Sequence, residues 1–80
     1  MKILKIGDVY KHYKGTKVKV LGEAIHSETL EPLVVYIHLE DGGVWARPKE
    51  MFLGKLIYEG KEVERFVKIK QKILIKPSKN

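Results

Sequence analysis

Cysteine is missing from all 80 residues, so no disulfide and no thiolate zinc site holds this fold. Long apolar runs are missing too: nothing approaches the roughly 20 residues of a membrane-spanning helix. The opening "MKILKIGD" lacks the apolar stretch of about 7–15 residues that marks a signal peptide. Together these absences predict a soluble cytoplasmic protein with no membrane association. No helical period is sustained over ten residues either, which excludes a helical bundle. Aromatic residues are few, at 9%, with a single tryptophan. A chain this short buries only about 60% of its unfolded surface. Its core is therefore thin, and a deep enclosed active site is hard to build on it.

What is present is charge and β-pattern. The net charge is +6, unevenly placed. Residues 1–60 hold nine basic side chains against eight acidic, whereas residues 61–80 hold seven against two. The basic excess belongs to the last quarter, chiefly "KIKQKILIKPSK", where Lys68, Lys70, Lys72 and Lys76 are candidates for contacting a polyanion such as nucleic acid. The bland alternative is a solvated strand followed by a frayed tail.

Gly and Pro cut the chain into short β-rich runs: 8–13, 17–24, 33–39, 44–47, a hairpin over 55–63 around Glu59-Gly60, and a late strand or two within 65–76. "PKEMFLG" supplies one short helical turn near 48–53, with Gly54 as its stop. The expected fold is all-β: a small SH3-like barrel or roll of five to six short antiparallel strands, forming one domain over 1–80. A basic strand or tail at about 68–80 ends the chain.

"LVVYIHLEDGGVWARP" reads as a hairpin turning at Asp41-Gly42. That register places Leu39 opposite Val44 and Ile37 opposite Ala46 on the core face. It leaves Tyr36, His38, Trp45 and Arg47 together on the other face, a platform of rings and a guanidinium suited to stacking and to holding an anion. The loop "IHSETLEP" brings His26, Ser27, Glu28 and Glu31 as a frame for that face, with Glu28 or Glu31 placed to orient Arg47. The alternative is an internal hydrogen-bond network that holds the loop against Trp45 and Arg47.

His12-Tyr13-Lys14-Gly15, His26-Ser27-Glu28-Thr29-Leu30-Glu31, Trp45-Ala46-Arg47-Pro48, Met51-Phe52 and Arg65-Phe66 come in an order and spacing that resembles a bacterial family called domain of unknown function 1653. The resemblance covers residues 7 to about 67. It implies an SH3-like barrel and no particular reaction. Tyr13 and Arg65 become second-tier site candidates through their motif positions.

The chemistry-bearing residues favour binding over catalysis, and no catalytic residue is assigned. Ser27 beside His26 lacks a nucleophile elbow, and neighbours in an extended segment point apart. The histidines and carboxylates match no metal spacing, and no phosphate-loop glycine pattern occurs. No cofactor is expected. The sequence thus points to a binding module for single-stranded nucleic acid or another anionic or aromatic ligand, a peptide among them. The alternatives are an interaction protein, such as a homodimer joined through its late strands, and, behind both, a small hydrolase-type enzyme.

Overall fold

A computed structural model of the protein describes residues 4–69. Seven strands form among them: β1 (Val9–His12), β2 (Lys17–Ile25), β3 (Pro32–His38), β4 (Val44–Pro48), β5 (Lys55–Tyr58), β6 (Lys61–Glu64) and β7 (Phe66–Ile69). A single helical turn, α1 (Lys49–Phe52), separates β4 from β5. The fold is thus all-β, with antiparallel pairing throughout. Five strands make one sheet in the order β4-β3-β2-β1-β7, while β5 and β6 pair separately. Lys70, Lys72 and Lys76 of the basic tail lie outside the described residues.

Local chemistry sets the turns. Glu59 and Gly60 both take positive φ, 51° and 80°, the backbone of the two-residue turn expected between β5 and β6. After α1, a Cβ on Gly54 would sit 2.9 Å from the Glu50 carbonyl oxygen, so a glycine is required there. The amide of Arg65 donates to the Gly54 carbonyl at 3.0 Å, which ties the segment before β7 to the end of the helical turn.

The β3–β4 hairpin departs from expectation in two ways. Its connection spans Leu39 to Gly43, closed by His38 N–H to the Gly43 carbonyl and Gly42 N–H to the His38 carbonyl, both 2.8 Å. Asp41 Oδ1 accepts the Gly43 N–H within this longer loop. The register therefore slips by two residues, so that Tyr36 faces Trp45 and Ile37 faces Val44. An even slip keeps Tyr36, His38, Trp45 and Arg47 on one face. The second departure is the sense of that face. Tyr36 is 2% exposed, whereas Val44 is 60% and Leu39 48% exposed, so the ring-bearing face is the inner one.

The core gathers on that inner face. Tyr10, Val18, Val20, Val34, Tyr36, Phe52 and Phe66 form one buried cluster. Tyr10 lies opposite Val18 across β1 and β2, and Val20 lies opposite Tyr36 across β2 and β3. Phe52 from α1 stacks on Phe66 from β7 at 4.2 Å and 11°, and Tyr10 meets Phe52 edge-on at 5.2 Å. Such aromatic pairs contribute about 0.5–1.5 kcal/mol each beyond their area burial. In β7 the inward residue is Phe66; Val67 is 49% exposed.

The sheet is rolled. β4 and β7 are its two edge strands, yet the Arg47 guanidinium carbon of β4 sits 6.0 Å from the centre of the Phe66 ring of β7. One cause is visible in β2, where an extra residue, Leu21, interrupts the pairing with β3 between Val20 and Gly22. Bulges of this kind bend a strand and increase its twist.

Candidate functional site

Along the inner face, composition changes from one end to the other. Val20, Val34 and Phe52 fill one end completely. At the other, the same rows continue into His12, His38, Trp45 and Arg47, side chains that do not close the space between the sheet edges. They leave a pocket of about 240 Å³ lined by His12, Lys14, Thr16, Tyr36, His38, Trp45, Arg47 and Phe66. Tyr36 and Phe66 belong to both regions and form the boundary between core and pocket.

The pocket is cationic and aromatic. Lys14 and Arg47 carry fixed charge, two imidazoles face them, and among the described residues no carboxylate lines it. Arg47 Nε donates to the Tyr36 hydroxyl at 3.3 Å, which fixes the guanidinium over Phe66. Among the described residues, the ion pairs join Lys49 to Glu23 at 3.0 Å and Lys68 to Asp8 at 3.4 Å; neither involves Arg47. Trp45, 58% exposed, stands at the rim, with His38 edge-on to it at 5.5 Å.

His12 is held on three sides. Its Nδ1 accepts the Lys14 N–H at 3.1 Å, so a neutral ring carries its proton on Nε2. It packs edge-on against Phe66 at 5.0 Å and lies tilted against Tyr13 at 4.4 Å. Burial pushes its pKa below the ordinary 6.5, and the charges of Arg47, Arg65 and Lys14, with His38, push it the same way. His38 Nδ1 is buried with no hydrogen-bond partner among the described residues, as is Arg65 Nε. A buried polar atom left unpartnered costs about 1–3 kcal/mol.

The structure divides the candidates drawn from the sequence. Tyr36, His38, Trp45 and Arg47 converge on the pocket, Tyr36 as its floor. His26, Ser27, Glu28 and Glu31 sit elsewhere. Their loop joins β2 to β3 beyond Pro32, while His38 closes the opposite end of β3. Six steps along the strand at about 3.3 Å each separate the two ends by about 20 Å. The loop is satisfied within itself: His26 Nδ1 accepts the N–H groups of Glu28 at 3.1 Å and Thr29 at 3.3 Å, and the Thr29 hydroxyl donates to Glu31 Oε1 at 3.1 Å. Neither Glu28 nor Glu31 orients Arg47; the Tyr36 hydroxyl does. Lys68, the described member of the basic tail, pairs with Asp8.

His12, Lys14, Thr16 and Phe66 join the pocket without having been placed in it from the sequence. The signal for His12, Lys14 and Phe66 was the pair of motifs His12-Tyr13-Lys14-Gly15 and Arg65-Phe66, with His12 and Phe66 more than 50 positions apart, which meet because β1 pairs with β7, His12 opposite Phe66; Thr16 had none. Tyr13 lies behind His12 and meets Tyr58 edge-on at 4.9 Å. Among the described residues, no cluster of three or more His, Cys, Asp or Glu side chains is placed to hold a metal ion, and no helix is long and apolar enough to cross a membrane.

Comparison with known proteins identifies the family. No curated protein matches the chain. The crystal structure of a protein belonging to DUF1653 from Bordetella bronchiseptica is similar over 82% of this chain and 87% of that one, at 29% identity and a TM-score of 0.71. A family model described as "Protein of unknown function (DUF1653)" matches residues 8–68, a span that takes in every strand from β1 to β6 and all but the last residue of β7. The chain belongs to the DUF1653 family.

Proposed function

We propose that this protein is a small non-catalytic binding module whose His12–Arg47 pocket holds an anionic group beside a flat ring, with single-stranded nucleic acid or a nucleotide as the ligand class. The observation that carries this reading is the convergence of Lys14, Arg47 and two imidazoles on a concave aromatic surface that, among the described residues, no carboxylate lines. Charge of one sign in a low-dielectric cleft attracts the opposite sign from solution. Trp45 at the rim adds a stacking surface, where each stacked base contributes about 1–3 kcal/mol. The fork of Arg47, held by Tyr36, suits bidentate contact with phosphate. The basic residues that follow β7 would strengthen nonspecific attraction to a strand, in a salt-dependent way.

The test is a titration of short single-stranded RNA and DNA, followed by Trp45 fluorescence at low and moderate salt. Saturable quenching that survives moderate salt is expected. Association that leaves Trp45 silent and vanishes with salt would assign binding to the basic tail and sink the pocket reading.

A second reading, an interaction protein that self-associates, is favoured by the exposure of Val44, Ile57 and Val67 at 60%, 69% and 49%. Sedimentation over a range of protein concentrations separates the two, since a pocket binder stays monomeric.

A further inference from the structure

Resting on that reading, we infer that the pocket recognises a nucleoside phosphate monoester, a free mononucleotide or the phosphorylated end of a strand, rather than the internal phosphodiesters of a strand lying across it. Size is the first argument. Drug-sized ligands occupy pockets of about 300–1,000 Å³. At about 240 Å³, this one admits a single phosphate or ring and has no room for successive nucleotides.

Charge is the second. A phosphate monoester carries about −1.5 to −2 at neutral pH and three strong acceptor oxygens, whereas an internal phosphodiester carries one charge and is flanked by bulk on both sides. Two fixed cations belong to residues that line the pocket from different elements: Lys14 in the β1–β2 turn, its Nζ 5.9 Å from the centre of the Tyr13 ring, and Arg47 on β4. His12 adds a donor, because its Nδ1 is occupied by the Lys14 amide and its proton sits on Nε2. His38 lines the same pocket from the end of β3. This supply of donors fits three free oxygens better than the two of a diester.

Placement is the third. Arg47 and Phe66 lie within the pocket, while Trp45 stands exposed at its rim. A phosphate seated against Arg47 leaves its attached nucleoside reaching the indole. The remainder of a strand, where there is one, departs into solvent past Trp45.

The experiment compares probes on the full-length protein by calorimetry, with Trp45 fluorescence in parallel: adenosine, adenosine monophosphate, inorganic phosphate, and one short oligonucleotide with and without a terminal phosphate. Adenosine monophosphate should bind at least about tenfold tighter than adenosine, and the terminal phosphate should tighten oligonucleotide binding by a similar factor. Tightening by the monophosphate alone names the free nucleotide as ligand; tightening in both names the strand end. Arg47→Lys, which keeps the charge and the fold but loses the fork, should abolish the difference. If adenosine monophosphate binds no tighter than adenosine and the oligonucleotide quenches Trp45 equally with and without its terminal phosphate, this inference falls and the binding reading stands. If no probe, inorganic phosphate included, perturbs either Trp45 or the His12 ring resonances, both fall.

Discussion

Two turns of this protein begin with the same device and end in different chemistry. At the β1–β2 turn, His12 Nδ1 accepts the N–H two residues on, from Lys14. At the β2–β3 loop, His26 Nδ1 does the same for Glu28, and also for Thr29. Locally the two histidines are near copies. Their surroundings differ: His12 leans on Phe66 and Tyr13 under the field of Arg47 and Arg65, whereas His26 opens an exposed loop whose polar groups satisfy one another. The comparison teaches that a side chain's hydrogen-bond motif fixes its rotamer and tautomer. Its role is decided by what the rest of the fold brings to its free edge.

The strongest way to break the comparison is to remove what stands under His12. Phe66→Ala takes away a ring shared by core and pocket, and should cost about 3–5 kcal/mol in denaturant unfolding. That is a large part of the roughly 5–15 kcal/mol of a typical domain. A smaller loss would mean that Phe52 alone carries the core. Next in size is Arg47→Ala, which should weaken binding of adenosine monophosphate at least about tenfold. Its cost in stability should be nearer 1 kcal/mol, the hydrogen bond to Tyr36.

His12→Gln sharpens the contrast through pH. Because the folded protein holds His12 below its ordinary 6.5, the unfolded chain binds more protons in that range. The contribution of His12 to stability is therefore full above about 6.5 and declines as pH falls toward its folded value. Thermal unfolding of the wild type should drop more steeply on acidification than that of His12→Gln. A bound anion should raise the His12 pKa and shrink this slope. The smallest effect belongs to His26→Ala: about 1 kcal/mol or less, since the freed amides are exposed, and unchanged ligand binding. Loss of binding in His26→Ala with full folding would rejoin the loop to the site.

The strands and turns were legible because their signals are local: Glu59-Gly60 for the β5–β6 turn, Gly54 for the end of α1, alternation for β3. The grouping of Tyr36, His38, Trp45 and Arg47 was legible for the same reason, since parity survives a slip of two. Which face turned inward was not. Leu33, Val35 and Ile37 on one side of β3 look as suited to a core as Val34 and Tyr36 on the other. The choice is made by Phe52 and Phe66, which arrive from later in the chain to pack against Tyr36, one tilted and one edge-on. The loop 26–31 drew attention by its density of reactive side chains, but those residues answer one another across a few positions. The pocket residues are sparse in sequence and dense only after β1 pairs with β7 and the sheet rolls.

That rolling traces in part to Leu21, the residue of β2 that has no counterpart on β3. Deleting it would restore one-for-one pairing, and the ladder would run straight from Val18 to Ile25. Straightened, the sheet would carry Arg47 away from Phe66 and open the space that the two edges now enclose. The shorter chain would have the more regular architecture and the poorer grip, so a search for stabilised variants that rewards regularity would select against what the irregularity provides.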